Sequence, residues 1–186
     1  MNNKDSKVKI GALVLMIIVA AASRLVPHPD NFTPIGAMAL FGAAYFPKKW
    51  MAVVVPFLAL WMSSLILDNV FMAQFYDGFQ WFSQPYVFLA FGLIIGLGWL
   101  LLKKVKPANL LIASLLSSLI FFLVSNFGVW MMYTPEKTWA SLMAVYALAI
   151  PFVRGTIFGD LFFVTVLFGA YELMKYRFAV LKTEQA

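Results

Sequence analysis

Residues 150–163 read IPFVRGTIFGDLFF, an apolar stretch that carries one arginine, Arg154, and one aspartate, Asp160. A charged side chain at the centre of a membrane helix costs about 2.5–3.5 kcal/mol on insertion scales, so it usually faces protein or a watery cavity. The stretch therefore predicts a membrane helix with two charges that need partners. On a continuous helix the two residues lie about 120° apart, too far around for a local ion pair. Each is expected to find its partner elsewhere.

The whole chain has the composition of an integral membrane protein. Its 186 residues are 63% hydrophobic and 12% charged, whereas a soluble domain has about 45–50% apolar and about 25% charged residues. The lack of cysteine excludes disulfides and thiolate metal sites, and the single histidine, His28, excludes a multi-histidine metal site within one chain. We therefore expect no metal and no cofactor.

Apolar runs predict an all-α integral membrane protein, a six-transmembrane-helix bundle in a single domain. A helix needs about 20 apolar residues to cross the hydrocarbon core, and the candidate runs cover residues 10–26, 34–46, 50–67, 85–102, 108–132 and 152–174. The first run is interpreted as a retained span rather than a cleaved signal peptide, because five more apolar runs follow it. Residues 138–150 are too few to span, and Pro151 is expected to separate them from the last span as an extra short outer helix.

Basic residues predict the orientation of these spans. If the loops are assigned alternately to the two sides, eleven of the fourteen Lys and Arg residues fall on the side of the termini. Since basic residues are retained on the cytoplasmic side, both termini are expected there. Residues 1–9 and 175–186 would be basic tails around a membrane domain at 10–174, in the inner (cytoplasmic) cell membrane. The net charge of +6 then follows from topology, and no nucleic-acid partner is expected.

Polar residues gather at the outer ends of the predicted spans, where they suggest an outward-facing basin for a small molecule. The predicted ligand-binding residues are Arg24, His28, Asn31, Thr33, Asp68, Asn69, Trp81, Asn126, Trp130, Arg154 and Asp160. Further aromatic residues lie at the same level, among them Tyr86, Tyr133 and Tyr146. Two other interpretations stay open. Aromatic residues also anchor proteins at the membrane interface, and the polar residues could be structural pairs between helices.

Three pairs of small residues at four-residue spacing, together with Gly36 near one of them, predict close helix packing, because small residues let two backbones approach. The residues concerned are Gly36, Ala39, Ala43, Gly92, Gly96, Gly155 and Gly159. A docking face for another membrane subunit is the alternative use of the same residues.

Three stretches carry a resemblance to a known family: PHPDNFTPIGAMALFGAAYF (27–46), SNFGVW (125–130) and IPFVRGTIFGDLFF (150–163). They resemble a family of bacterial membrane proteins described as transport proteins, over essentially the whole chain. More broadly, the layout resembles the substrate-binding (S) components of energy-coupling factor vitamin transporters, whose last helix often opens with a Pro-Phe pair and a cationic residue. That resemblance implies a vitamin-like substrate bound near the outer face, and partnership with a transmembrane coupling subunit and its ATPases.

The function predicted from these observations is a substrate-binding membrane subunit for uptake of a vitamin or similar micronutrient. Its expected partners are that small molecule and membrane lipid, with or without a coupling module. The main alternative is a stand-alone ion- or proton-coupled transporter or channel that uses Asp160 and Arg154. An enzyme is not expected, because the sequence has no nucleophile–base motif such as G-x-S-x-G or H-E-x-x-H and no phosphate-binding loop. A structural or assembly subunit is a further alternative.

Overall fold

The computed structural model describes residues 3–181, which form six α-helices and no strand. The helices are α1 (Asn3–Ser23), α2 (Ile35–Tyr45), α3 (Lys49–Ile66), α4 (Pro85–Leu101), α5 (Pro107–Tyr133) and α6 (Trp139–Arg177). A π-helical turn, Leu67–Phe71, extends α3, and 3₁₀ turns lie at Ala73–Phe75 and Ala179–Leu181. Four of the helices, α1, α3 with its extension, α5 and α6, are long and apolar enough to cross a membrane. The chain is therefore an all-α integral membrane protein.

The bounds of α2 to α5 confirm the predicted apolar runs to within one residue at each end. The first helix differs, because it begins at Asn3 inside the segment predicted to be a tail and ends at Ser23 rather than at residue 26. The outermost parts of both predicted tails, residues 1–2 and 182–186, lie outside the described residues.

The predicted break at Pro151 is wrong, because α6 is one helix of 39 residues that passes through this proline. A proline inside a helix removes one backbone donor and crowds the preceding turn, but membrane helices tolerate this where local adjustments satisfy the freed carbonyl. A capping box between Thr138 and Ser141 starts the helix well before Pro151, so no extra short helix precedes the last span. At 1.5 Å per residue α6 is about 58 Å long, roughly twice the ~30 Å hydrocarbon core.

The short helix α2 lies at the centre of the bundle. It packs against each of the other five helices, and its residues Ile35 to Gly42 are all buried. A helix that is apolar on every side is expected to be surrounded by other elements rather than by water. With 11 residues, α2 is about 16 Å long and does not cross the hydrocarbon by itself.

The bundle has two chemically different ends. We call the end with the connections 24–34, 72–84 and 134–138 the distal end, and the end with the connections 46–48 and 102–106 the basic end. At the basic end Lys49 lies over the ring of Trp99, and Glu172 pairs with Lys175. The helices α2 and α6 run in the same direction, since Gly36 adjoins Asp160 near one end and Tyr45 bonds Glu172 near the other.

Candidate functional site

The N-terminus of α2 lies inside the bundle, where its first residues, Ile35 to Ala37, are buried. Its N-cap residue, Pro34, supplies no side-chain cap. The carboxylate of Asp160 on α6 takes that role, because it accepts hydrogen bonds from the backbone N–H groups of Gly36 and Ala37. A carboxylate suits this position, since a helix N-terminus has unpaired donors and a positive end of the helix dipole.

Two serines of α5 complete the environment of Asp160. Ser118 Oγ donates to Oδ2 at 2.7 Å, and Ser117 Oγ lies 3.2 Å from the same atom. Asp160 is only 3% exposed. Its carboxylate accepts from two backbone N–H groups of α2 and two hydroxyls of α5, and it therefore joins these helices to α6. Its predicted partner was either another helix or a bound molecule. The structure places it against other helices, and it lines neither of the two cavities described below.

Gly36 makes this contact possible. A β-carbon at this position would overlap Ser117 Oγ and the carboxylate oxygens of Asp160. Gly36 is therefore needed at this contact, and Ala39, one turn further along α2, is fully buried in the core.

Gly155 and Gly159 also permit a close approach, but their neighbour is not a helix. A β-carbon at Gly155 would overlap the carbonyl oxygen of Asp30, and one at Gly159 would lie 2.9 Å from the backbone N of Thr33. The segment 30–33 thus lies directly on α6, and the ring of Phe32 packs 5.5 Å from that of Phe162. Asn31 adopts a positive φ of 57° in this segment, a conformation that asparagine tolerates better than most residues.

The glycine pair of α4 differs from the prediction of packing within the chain. A β-carbon at Gly92 or Gly96 would meet no described atom within 4 Å, and Gly92 is exposed. The close contact in α4 is made instead at Gly98, where a β-carbon would lie 2.6 Å from that of Ala43. Ala43 therefore lies in the contact between α2 and α4. For Gly92 and Gly96 the docking alternative stays a prediction.

Arg24 follows α1 at the distal end and is buried against α3. Its Nη1 donates to the carbonyl oxygen of Leu60 at 3.2 Å and also to the hydroxyls of Ser63 and Ser64. A guanidinium group can serve several acceptors at once because its donors are held in a rigid plane. Arg24 therefore fastens the end of α1 to α3, and it lines neither of the cavities described below.

Asp68 and Asn69, in the π-helical turn, hold the connection 72–84 in place. Asp68 Oδ2 accepts from Ser83 Oγ at 2.6 Å, and Asn69 exchanges two hydrogen bonds with the backbone of Gln80. Tyr76 lies in the same connection and bonds with the side chains of Ser83 and Gln84. Burial raises the pKa of the Tyr76 hydroxyl, and the nearby Asp68 carboxylate raises this pKa further. These bonds give the connection a defined shape over the distal end.

A cavity of about 380 Å³ opens at the distal end between α4, α5 and the connections 24–34 and 72–84. We call it the distal cavity. Its polar lining consists of three amide side chains, two serines and three tyrosines: Asn31, Gln84, Asn126, Ser83, Ser125, Tyr76, Tyr86 and Tyr133. Its apolar lining includes Val87, Phe121, Val129 and Met132. No Lys, Arg, Asp, Glu or His is among its described lining residues.

Local helix chemistry orients this lining. Asn126 Nδ2 donates to the Phe122 carbonyl at 2.8 Å, and Ser125 Oγ donates to the Phe121 carbonyl at 2.6 Å. These bonds to the preceding turn, which are common for Ser in helices, use the hydroxyl hydrogen of Ser125 and an amide hydrogen of Asn126, which leaves acceptor capacity on both side chains. Gly128 gives room to Tyr86, since a β-carbon there would lie 2.4 Å from the Cβ of Tyr86.

A second, larger cleft of about 620 Å³ lies on the other side of the segment 30–33, against α6. We call it the lateral groove. It is lined by His28, Asp30 and Arg154 together with apolar residues such as Phe152 and Phe158. Arg154 is exposed there. The segment 30–33 therefore separates the two cavities, with Asn31 lining one and its neighbours Asp30 and Phe32 lining the other.

The predicted site residues thus divide into groups rather than forming one basin. Asn31 and Asn126 line the distal cavity, whereas His28 and Arg154 line the lateral groove. Thr33 is held against Gly159. Of the two tryptophans, Trp81 accepts at its carbonyl from Trp61 Nε1, and Trp130 donates from its indole to Ser141 Oγ. Neither tryptophan lines the distal cavity or the lateral groove.

Three residues of the connection 72–84 line the cavity but are absent from the predicted ligand-binding residues: Tyr76, Ser83 and Gln84. They lie in a connection without periodicity, and only Ser83 and Gln84 stand just before the proline that opens α4. Among residues 3–181, no three His, Cys, Asp or Glu side chains are close enough to hold a metal ion.

The fold and the cavities define the class: a helical integral membrane protein with a polar-lined cavity at the end opposite its basic loops. The chain belongs to DUF6580, a family of unknown function whose model matches residues 4–182. Comparison with curated proteins finds no match, and comparison with solved structures finds none either.

Proposed function

We propose that this protein is a substrate-binding membrane subunit for uptake of a vitamin or similar small micronutrient. The distal cavity carries the proposal. Its volume of about 380 Å³ falls within the ~300–1,000 Å³ of ordinary ligand pockets. It combines apolar and aromatic walls with a few hydrogen-bonding groups, the usual composition of a small-molecule site.

The proposal includes a topology in which the distal end faces outward. The basic residues of the loops 46–48 and 102–106 would then lie in the cytoplasm together with both termini, as the positive-inside rule requires. All six helices would take part in crossing the inner membrane, with α2 completing its crossing through the segment 30–33 that precedes it. A substrate would enter the distal cavity from outside, and release would occur inward, alone or with a coupling subunit and its ATPases.

The alternative of a proton or ion relay through Asp160 and Arg154 has less support. Such a relay needs a chain of titratable groups or water between its members. Asp160 has four donors from neighbouring helices, while Arg154 lies exposed in the lateral groove. Loss of a proton flux on Asp160→Asn substitution, with the fold retained, would favour the relay instead.

Native mass spectrometry of the full chain, purified from its host membrane, tests the uptake proposal. We expect a small molecule of defined mass to remain bound. Gly128→Ala should reduce its occupancy because the new methyl group displaces Tyr86, whereas Gly96→Ala, a matched change in open space, should retain it. A wild-type protein that retains no small molecule, together with a deletion strain that grows normally on limiting amounts of each micronutrient, would contradict the proposal.

A further inference from the structure

We propose that the distal cavity binds an uncharged, planar heterocycle that presents N–H donors, as a lactam or urea edge does. This inference rests on the proposed function and names the substrate class of the same site. Two arginines lie towards the distal end of the chain's helices, where they would suit an anionic ligand if they lined the cavity. Neither arginine lines the distal cavity: Arg24 bonds α3, and Arg154 lies in the lateral groove.

The charge around the cavity opposes an anion. The lining residues carry no formal charge, so an anionic ligand would lose its hydration without gaining a cationic partner, which is costly. Behind one wall, the buried carboxylate of Asp68 bonds Ser83 Oγ at 2.6 Å. This places a negative charge one hydroxyl group away from the ligand. Arg24 lies near enough to Asp68 to interact with it electrostatically, yet its hydrogen bonds go to α3.

The hydrogen-bonding lining favours a donor-bearing ligand. Ser83 and Ser125 each donate their hydroxyl hydrogen to a protein acceptor, so each can meet a ligand only as an acceptor. Asn126 uses its NH₂ group in the turn behind it, which leaves its Oδ1 as an acceptor. The amide NH₂ groups of Asn31 and Gln84 and the hydroxyls of the three tyrosines can donate as well as accept. The wall therefore offers acceptors beside donors, which matches the adjacent N–H and C=O groups of a lactam or urea edge.

The shape of the lining favours a flat ring. Tyr86 on α4 and Tyr133 on α5 both line the cavity, together with Phe121. Aromatic faces bind planar rings by offset stacking or edge contacts. Gly128 permits Tyr86 to lie directly on α5, so the width of the cavity depends on this glycine. A volume of about 380 Å³ restricts the ligand to the small end of the ordinary range.

The test uses paired probes and the full chain in detergent. Calorimetry would compare uracil with its carboxylated analogue orotate, and pterin with pterin-6-carboxylate, while native mass spectrometry identifies any molecule that co-purifies. We expect a neutral probe, or a neutral co-purified heterocycle with N–H donors, to bind at least about tenfold more tightly than its carboxylated analogue. Asn126→Leu and Gln84→Met should each weaken binding about tenfold or more. Gln74→Met, a matched change at an exposed position outside the cavity, should not.

The outcomes separate this inference from the proposed function. Tighter binding of the carboxylated probes, or an anion as the co-purified molecule, would overturn the neutral class and leave the uptake function standing. A second outcome would also overturn the inference. If neutral probes bind the Asn126→Leu and Gln84→Met variants as tightly as the wild type, and both variants keep the wild-type melting temperature, the binding site lies outside the distal cavity. If no probe binds and nothing co-purifies, both the inference and the uptake function fail.

Discussion

Asp160 of α6 caps the N-terminus of α2 by accepting hydrogen bonds from the backbone N–H groups of Gly36 and Ala37. This relationship explains how a charged residue and a short helix coexist within an apolar bundle. A buried carboxylate is costly when unpaired, and so are the free N–H groups at a helix start. Each satisfies the other here, and the pair fixes the depth at which α2 begins.

Removal of the Asp160 carboxylate should destabilise the protein. We expect Asp160→Ala to lower the free energy of unfolding by about 2–4 kcal/mol, since it removes a helix cap and leaves several buried donors without an acceptor. Asp160→Asn should be less damaging, because one amide oxygen still accepts. The measurement is the unfolding of detergent-solubilised protein, followed by circular dichroism over a denaturant series.

Arg154 provides the control for that substitution, since it shares the helix but is exposed. Arg154→Gln should change the free energy of unfolding by no more than about 0.5 kcal/mol, as surface substitutions usually do. Equal losses from Asp160→Ala and Arg154→Gln would mean that the carboxylate contributes no more than a surface charge, against the capping role.

A methyl group at Gly36 should separate α2 from its cap. Gly36→Ala would overlap Ser117 Oγ and Asp160, and we expect a loss of about 1–3 kcal/mol in the free energy of unfolding, as for other overpacked cores. Gly92→Ala is the matched control in open space, where alanine should stabilise the helix by up to about 1 kcal/mol. The thermal midpoints of the two variants should therefore move in opposite directions, and a rise for both would show that the Gly36 contact is loose.

The sequence predicted most of the helices because each is a continuous apolar run, although only four of the six are long enough to cross a membrane. It also predicted that Asp160 needed a donor. It did not identify the donor, because backbone N–H groups at the start of α2 leave no mark in the sequence and Pro34 supplies no cap. The continuity of α6 through Pro151 was missed for a related reason. A proline in the sequence shows that one backbone hydrogen bond is lost, but the packing of the neighbouring turns decides whether the helix continues.

The candidate site was predicted less completely than the fold. The position of a polar residue along a span indicates its depth, but it does not indicate which neighbour the side chain faces around the helix. Arg24 therefore turned out to bond α3, and His28 and Arg154 lie in a groove apart from Asn31 and Asn126. The residues Ser83 and Gln84 come from a connection, whose path depends on tertiary bonds such as those of Asn69.

The contact between Gly155 and the segment 30–33 should be needed to keep the two cavities apart. Gly155→Ala would overlap the carbonyl oxygen of Asp30, so we expect the segment to move from α6 and the thermal midpoint to fall by several degrees, on the basis of about 1–3 kcal/mol for overpacking. Gly169→Ala on the same helix meets no described atom within 4 Å and should leave the midpoint unchanged or raise it. Faster proteolysis between residues 24 and 34 in Gly155→Ala alone would locate the effect. The opposite order of the two midpoints would contradict the contact.

The lack of native cysteine allows a direct measurement of the proposed orientation. Asp77→Cys places a thiol on an exposed part of the distal end, and Lys104→Cys places one on an exposed part of the basic end. Because lysine-rich loops are retained in the cytoplasm, a membrane-impermeant maleimide added to intact cells should label Asp77→Cys and not Lys104→Cys. Both thiols should react after the membrane is permeabilised, which controls for accessibility. Labelling of Lys104→Cys alone in intact cells would show the opposite orientation. The distal cavity would then face the cytoplasm, where it could not collect a substrate from outside.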